Sequence, residues 1–321
     1  MTFLNAQQRL ARRRGAKDST LNTATATRYK ETLNEAHRAI LRKPGRESLR
    51  YGVITFASVA SQKLYALPEQ GIARINRITE TTNDRRMVYQ TPDWLDAMAP
   101  DPTTGTPWAW IPRGLSSVHT QPSDASEIFV DSTSASDTNT AYIEGFITGG
   151  YYRTASVSMT GTTAITLSST ITNFIHITKF YLSAAAVGIV TLHEDATGGT
   201  ELSRIAIGDV APKFTTFQLY NTPAAVVTYT ADVLRSIPEM ANDTDEFLLP
   251  VDFEDLVVDM AELRELRKSD DPNRWQMLQS QVKEGDAALQ TFLVGHPDWR
   301  PTWTPRLHEY SALGAWFPAG T

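Results

Sequence analysis

Residues 247–293 have the sequence FLLPVDFEDLVVDMAELRELRKSDDPNRWQMLQSQVKEGDAALQTFL, which predicts two helices joined by a tight turn. Asp252 follows Pro250 and is a candidate N-cap for the first helix. Acidic residues come directly after it, at the helix end where the dipole favours negative charge. Apolar residues then recur every three or four positions and predict one buried stripe. These residues are Phe253, Leu256, Val257, Met260, Leu263 and Leu266.

The second helix is predicted to begin at Asp271-Pro272, an N-cap followed by a proline at the first helical position. Gly295 and Pro297 end it. Its apolar stripe comprises Trp275, Leu278, Val282, Leu289 and Phe292. The pair therefore predicts an αα-hairpin that needs a packing partner.

A helix near the N-terminus is the first candidate for that partner. Thr25 or Thr27 can cap a helix that runs to about Arg42, where Pro44-Gly45 ends it. One face of this helix carries Tyr29, Leu33, Ala36 and Ile40.

Composition excludes several kinds of site. The chain has 321 residues, a net charge of −6 and no cysteine, so disulfides, a thiol nucleophile and a cysteine-based zinc site are excluded. It has no apolar run of roughly 18 residues, so we expect no membrane-spanning helix and no membrane partner. The N-terminus lacks the apolar region of a secretory signal. We therefore expect a protein that is made and used without export from the cytoplasm.

Charge is distributed unevenly along the chain. Residues 1–50 carry twelve Lys and Arg against four Asp and Glu, whereas residues 123–232 carry four against ten. This asymmetry indicates two modules with different surroundings. The basic residues of the first 24 positions are Arg9, Arg12, Arg13, Arg14 and Lys17. They are compatible with an arm that touches nucleic acid, but a solvated or partner-bound helix with Phe3, Leu4 and Leu10 on one side is favoured.

Residues 48–122 predict a small β element with interruptions. Residues 72–78 and 87–89 have strand character, and residues 91–100 predict a short helix capped by Thr91 or Asp93. A Pro/Gly/Trp-rich loop over residues 102–114 leads to a strand predicted at 116–119.

Residues 123–222 are rich in Ser, Thr, Gly and Ala and contain short alternating runs between turn signals. This spacing is typical of an antiparallel sandwich. The predicted strands are 127–130, 140–148, 154–159, 164–168, 176–182, 187–194, 201–207 and 213–219. The predicted core residues are Phe146, Ile165, Ile177, Phe180, Val190, Leu192, Ile205 and Phe217. One further strand is expected from VVTYTADV, at 226–233.

The chain ends with four prolines and three tryptophans over residues 296–321. Such a tail is too apolar to be solvated and too rich in proline to be a helix. Extended aromatic segments usually lie in a groove of a partner. The alternative is that the tail wraps its own domain.

The sequence offers little catalytic chemistry. Its six histidines have no metal-ligand spacing, and no phosphate-binding glycine loop or nucleophile elbow is present. The acidic run at Asn242, Asp243, Asp245 and Glu246 lacks the twelve-residue calcium-loop pattern, so a turn before a helix is favoured. Paired carboxylates for glycoside hydrolysis stay open, because the fold sets their separation. We expect neither an enzyme nor a bound metal or cofactor.

The order of the elements outside residues 123–222 resembles the head-to-tail adaptor (connector) proteins of tailed bacteriophages. The resemblance covers roughly residues 20–122 and 223–298. It rests on LNEAHRAIL (33–41), YALPEQGIARINRI (65–78), the loop with Gly105, Pro107 and Trp110, the turn at Asn242-Asp243, Leu249-Pro250, FEDLV (253–257) and the second helix (275–293).

This resemblance implies a structural virion protein at the head-tail junction. Such adaptors form a ring, commonly of about twelve copies, beneath the portal, and a C-terminal tail often docks into the portal. The implied partners are the portal protein, further copies of the chain, a tail or nozzle protein below, and double-stranded DNA that passes without sequence-specific contacts.

The implied fold is α+β. Residues 1–122 and 223–298 form a helical-bundle adaptor core with a small β element, residues 123–222 an inserted antiparallel β-sandwich, and residues 299–321 the extended docking tail. The tail anchors implied are Trp299, Trp303, Tyr310, Trp316 and Phe317. The implied ring and bundle residues are Phe253, Leu256, Met260, Leu263, Glu265, Arg267, Trp275, Leu278 and Val282. We further expect Glu262 and Glu265, with Arg264, Arg267 and Lys268, to face the next subunit.

Two other functions stay open. The sandwich is compatible with a carbohydrate- or surface-binding module, with Tyr151, Tyr152 and Tyr220 as stacking residues. A peptidoglycan hydrolase is the third, less favoured interpretation.

Overall fold

The computed structural model describes residues 1–15, 23–98, 103–123, 127–167, 174–194, 199–266 and 271–294. The fold is mixed α+β. Its helices in these segments are α1 (Phe3–Arg13), α2 (Thr23–Leu41), α3 (Pro92–Met98), α4 (Asp255–Leu266) and α5 (Pro272–Val294). Short 3-10 helices at Glu47–Arg50 and Val251–Phe253 precede the first strand and α4. None of the helices in these segments is both long and apolar enough to cross a membrane.

The strands, in chain order, are β1 (Tyr51–Ala57), β2 (Leu64–Gln70), β3 (Ile72–Glu80), β4 (Arg85–Arg86), β5 (Val88–Tyr89), β6 (Thr104–Gly105), β7 (Ala109–Ser116), β8 (Ile128–Ser132), β9 (Thr140–Ile147), β10 (Tyr152–Ser158), β11 (Ile165–Thr166), β12 (Phe174–Leu182), β13 (Val190–Glu194), β14 (Glu201–Ile205), β15 (Phe214–Tyr220), β16 (Thr222–Pro223) and β17 (Thr228–Arg235). Their pairing is antiparallel, apart from the short parallel pairs β5–β7 and β6–β16.

Helices α1, α2, α4 and α5 pack around one apolar core, which we call the helical body. The predicted stripe on α2 is confirmed, because Leu33, Ala36 and Ile40 are fully buried in this core. Asn34 of the same helix exchanges two hydrogen bonds of 2.9 Å with the backbone of Met240. This exchange ties the returning chain to α2 just before α4 begins.

Two four-stranded sheets, β1-β17-β3-β4 and β2-β15-β7-β5, form the first β body. Their facing side chains share one core that includes Ile54, Ile78, Phe217 and Tyr229. This body is larger than the small β element predicted for residues 48–122. Much of the difference lies in β7, which runs through the segment predicted to be a loop. Pro112 fits into this strand because the ladder with β15 shifts register beside it.

Two further sheets, β10-β9-β12 and β11-β8-β13-β14, share another core and form the second β body. Most strands predicted within residues 123–207 are present here, with ends displaced by a few residues. Phe146 is an exception to the predicted core, because it is 36% exposed. Ala141 and Ile143 point into the core from the same strand, so alternation turns Phe146 outward.

The strand predicted at 213–219 was assigned to the inserted sandwich, but it lies in the first β body. As β15, it pairs with β2 on one side and β7 on the other. Phe217 is accordingly buried between the sheets of the first body. Strands β7 and β15 are adjacent antiparallel partners, with Ser116 opposite Phe214. The second β body therefore emerges from the end of a β-hairpin of the first.

Candidate interaction site of the helical body

Helix α4 is the central helix of this body. Its buried residues occur on all sides rather than along one stripe: Leu256, Val257, Val258, Ala261, Glu262, Leu263, Glu265 and Leu266. Two of them are carboxylates that are each only 2% exposed. A buried carboxylate needs compensating partners, so these two positions determine what may pack around α4.

Glu262 joins α1 and α5 to α4. Arg274 of α5 donates to its Oε1 at 2.5 Å, and Arg13 of α1 lies 3.4 Å from its Oε2. Glu265 joins α2 to α4: it accepts a hydrogen bond of 2.8 Å from Thr32 and lies 3.3 Å from Arg28. The expectation that Glu262 and Glu265 face a neighbouring subunit is therefore wrong. Their partners come from three other elements of the same chain.

The basic N-terminal helix is also neutralised within the chain. Arg9 pairs with Asp255 and Arg13 pairs with Asp259, both on α4. The apolar side of α1 is buried through Phe3 and Leu10. The favoured interpretation of this segment as a helix is confirmed, and its partner surface is α4.

A buried ion pair holds the turn that follows α2 against α5. Arg46 is 1% exposed, donates to the backbone oxygen of Ile40 at 3.0 Å and pairs with Asp286 of α5. Lys43 approaches the other oxygen of Asp286 at 2.8 Å. Burial works to raise the pKa of Asp286, but the bonds from Lys43 and Arg46 outweigh it and lower the pKa. Sequence reasoning missed this contact, because only the turn signal of Pro44-Gly45 was visible.

His37 is fully buried on α2, edge-on to Phe247. Its Nε2 accepts the backbone N–H of Leu248 at 3.2 Å, while Nδ1 has no hydrogen-bond partner. Burial, with a smaller contribution from Arg38, lowers the pKa of His37 to about 4. The imidazole is therefore neutral at pH 7 and belongs to the helical core.

Helix α5 is the most exposed long helix of the body. Asp271 caps it, accepting the backbone N–H of Arg274 at 3.1 Å as predicted. Only Leu278, Val282 and Leu289 of its 23 residues are fully buried. Three of its apolar residues are exposed: Met277 (55%), which lines a groove with α1 and α4, Phe292 (56%), whose ring lies 5.3 Å from that of Phe253, and Val294 (49%).

A groove of about 580 Å³ runs between α1, α4 and α5. Gly285 contributes to its wall, and a Cβ added there would lie 3.1 Å from Leu256. The charged residues of the groove are Arg13, Asp255, Asp259, Glu262, Arg274 and Glu284. Arg9 pairs with Asp255 at the edge of the groove, so four carboxylates there face three guanidinium groups.

The predicted ring and bundle residues fall into three groups. Leu256, Leu263, Glu265, Leu278 and Val282 are buried within the chain. Phe253, Met260 and Trp275 are partly buried at the edge of the same core. Arg267 and Lys268 lie outside the described residues, as do the tail positions Trp299, Trp303, Tyr310, Trp316 and Phe317.

The acidic run before α4 forms a turn. Asp245 accepts the backbone N–H groups of Ala241 and Asn242, each at 2.8 Å, and Asp243 pairs with Lys30 at 3.1 Å. Within the described segments, no group of three or more His, Asp or Glu side chains is arranged to hold a metal ion.

Comparison with known proteins gives no relative from which to transfer a function. The chain matches no protein-family model, and no curated protein matches it.

Proposed function

We propose that this protein is a structural virion component that forms a ring beneath the portal of a tailed bacteriophage. In this role it joins head to tail and continues the DNA channel. It acts without a cofactor and without catalytic chemistry. The proposal starts from the resemblance of the element order to head-to-tail adaptors, and the helical body supplies its physical support.

The uncovered side of α5 is the observation that carries the proposal. Long helices in water are stabilised chiefly by packing an apolar face, and α5 buries only three residues in its own chain. Its exposed Met277 and Phe292 are suited to a protein contact. A neighbouring copy that covers this side would extend the helical packing from one subunit to the next.

Charge supports the same surface as a contact between copies. In the groove beside α5, Glu284 is a carboxylate with no ion-pair partner within the described residues, and Arg42, directly after α2, is an exposed cation. A head-to-tail contact that places the end of α2 of one copy near α5 of the next would bring Arg42 close to Glu284. Repetition of one such contact closes a ring when the rotation allows it.

The remaining parts take the roles implied by the resemblance. The aromatic tail, with Trp299, Trp303, Tyr310, Trp316 and Phe317, docks into the portal, since large aromatic side chains are frequent interface anchors. A tail or nozzle protein binds below the ring. Double-stranded DNA passes through without sequence-specific contacts, as a sliding duplex requires.

Docking to the portal is the experiment that tests this function. Removal of residues 299–321 is expected to abolish co-sedimentation with the portal ring of the encoding phage, while the circular dichroism and melting temperature stay unchanged. Two triple variants that keep the full tail distinguish the loss of aromatic contacts from the loss of tail length. Replacement of Trp299, Trp303 and Trp316 by Ala should prevent docking, whereas replacement by Phe should preserve much of it. Docking that survives the truncation contradicts the proposed role of the tail.

A further inference from the structure

A cleft of about 290 Å³ opens where the second β body leaves the first. One wall is formed by β2, β7 and β15, and the other by residues 118–121 and 176–178. The polar side chains that line it include Arg113, His119, Gln121, His176 and Thr178. The cleft thus presents residues from both β bodies to one ligand.

Arg113 supplies positive charge to this cleft. Its Nε and Nη2 both donate to Oε1 of Gln218, at 3.0 and 2.7 Å, and Gln218 is a buried, neutral partner. Arg113 has no ion-pair partner within the described residues, and the lining of the cleft contains no carboxylate. A guanidinium held by a neutral amide keeps its charge available for a carboxylate ligand.

The outer face of sheet β10-β9-β12 carries an aromatic surface beside this cleft. Tyr142 stacks on Tyr181 across the strands, with ring centroids 5.0 Å apart. Phe146 packs edge-on against Tyr152 at 5.3 Å. Tyr152 is 45% exposed and Phe146 36%, so both rings are accessible from solvent.

Hydrogen-bonding groups lie at the centre of this face. The carboxylate of Glu144 accepts a bond of 2.7 Å from the hydroxyl of Tyr152 and one of 3.3 Å from Tyr181. Lys179 lies 2.9 Å from the same carboxylate. The network holds the tyrosine rings in fixed orientations, and the Glu144–Lys179 pair leaves the face without net charge.

The aromatic face and the cleft are continuous. The hydroxyl of Tyr152 is 3.3 Å from the hydroxyl of Thr178, which lines the cleft. His176, also in the lining, has its ring 6.3 Å from that of Phe146. An elongated ligand on the tyrosine face can therefore reach Arg113 without leaving the protein surface.

We propose that this combined surface binds an acidic oligosaccharide. The apolar C–H face of a pyranose packs on an aromatic ring, while its hydroxyls need nearby donors and acceptors. The outer face of the sheet offers both, and Arg113, whose Nε and Nη2 bond Gln218, offers its Nη1 donors to a sugar carboxylate. A nucleic acid is disfavoured, because the cleft lining offers a single guanidinium, that of Arg113, whereas a phosphate backbone is bound by several cations.

Calorimetric titration of the purified full chain tests the proposal, and no portal is needed. The probes are tetragalacturonate, a hyaluronan tetrasaccharide and fully methyl-esterified tetragalacturonate. At least one acid probe is expected to bind, with an affinity about tenfold or more above that of the neutral ester. Arg113→Gln should remove this preference, and Arg113→Lys should retain part of it. Tyr152→Ala should weaken binding of both forms, whereas Tyr152→Phe keeps the ring and should retain binding.

Arg74→Gln is the matched control, because this arginine is exposed on the other sheet of the first β body and should leave binding unchanged. Melting temperatures of all variants establish that they are folded. The proposal is overturned if neither acid probe binds, if acid and ester bind equally, or if folded Arg113→Gln and Tyr152→Ala variants bind like the wild type. A negative result in these titrations would not bear on ring formation, because oligosaccharide binding is proposed for the β bodies and ring formation for the helical body.

Discussion

Glu262 and Glu265 act as the polar centre of an otherwise apolar helical body. Each is nearly inaccessible to solvent, and together they receive side chains from α1, α2 and α5. Removing one partner of a buried ion pair lowers the free energy of unfolding by more than the intact pair adds to it, because the remaining charge stays desolvated. These two residues therefore fix which elements may lie against α4.

Glu262→Gln is expected to lower the free energy of unfolding by about 2 kcal/mol. Arg13 and Arg274 would lose their common carboxylate, but both are more than one-third exposed, so water moderates the loss. Glu284→Gln is the control, because its carboxylate is exposed on α5 and, among the described residues, bonds only Ser280. Urea denaturation of both variants measures the difference. Equal stability of the two would contradict the assigned role of Glu262.

His37 makes the helical body sensitive to acid. Its pKa is about 4 in the folded chain and about 6.5 when exposed, so the unfolded state binds a proton first as pH falls. The stabilisation is complete above pH 6.5 and is lost as the pH decreases towards 4. Between pH 7 and pH 5 this single residue is expected to remove about 2 kcal/mol of stability.

The measurement is the urea midpoint as a function of pH, for wild type, His37→Gln and His176→Ala. The His37 variant should show a shallower decline below pH 6.5. His176 is exposed, and its variant should follow the wild type. A His37 variant with an unchanged pH profile would show that other groups cause the acid sensitivity.

At the scale of elements, the contact between α4 and α5 depends on a small residue. A Cβ at Gly285 would lie 3.1 Å from Leu256, which is tight, so a methyl group there requires a slight shift of the leucine. Gly285→Leu is expected to separate the helices and lower the free energy of unfolding by about 2 kcal/mol. Ala287→Leu, on the exposed side of α5, should be nearly neutral. Thermal unfolding of the two variants compares them, and equal melting temperatures would exclude close packing at Gly285.

Elements with strong local patterns were predictable from the sequence. The stripe of α2, the cap of α5 and most strands of the second β body follow from periodicity and turn residues, which are local properties. The burial of Glu262 and Glu265 was not predictable, because their cations come from residues as distant in sequence as Arg13 and Arg28. A charged residue in a sequence favours a surface position, but tertiary pairing buries these two.

The prediction that residues 213–219 belong to the inserted sandwich was wrong for a related reason. The local pattern correctly indicated a strand near residues 213–219, but only the ladder with β2 and β7 assigns it to the first β body. The prediction of Phe146 as a core residue is wrong, because the alternation of β9 places the smaller Gly145 inside. Gly145 is needed there, since a Cβ would lie 2.3 Å from the backbone oxygen of His176.

At the scale of the whole molecule, the second β body is an insertion into a hairpin. Ser116 of β7 and Phe214 of β15 are direct partners, so the chain leaves and returns at adjacent positions. Each β body also has its own core. These two facts predict that the insertion can be removed without unfolding the rest.

Replacing residues 118–212 by Asn-Gly should join Ser117 to Lys213 through a two-residue hairpin turn. The shortened chain is expected to keep the helical content and the near-ultraviolet signal of its tryptophans. Its ability to form a ring on the portal should also persist, because the helical body is intact. A shortened chain that is soluble but lacks cooperative unfolding would contradict the independence of the two β bodies.

In the proposed ring, the next copy of the chain covers the exposed apolar residues of α5. The most direct test is the mass of the protein, measured by native mass spectrometry alone and after mixing with the portal ring of its phage. We expect a monomer when the protein is alone and about twelve copies bound per portal ring. Glu284→Lys, in the groove beside α5, should reduce the number of bound copies. A wild-type chain that remains monomeric in the presence of the portal would contradict the account.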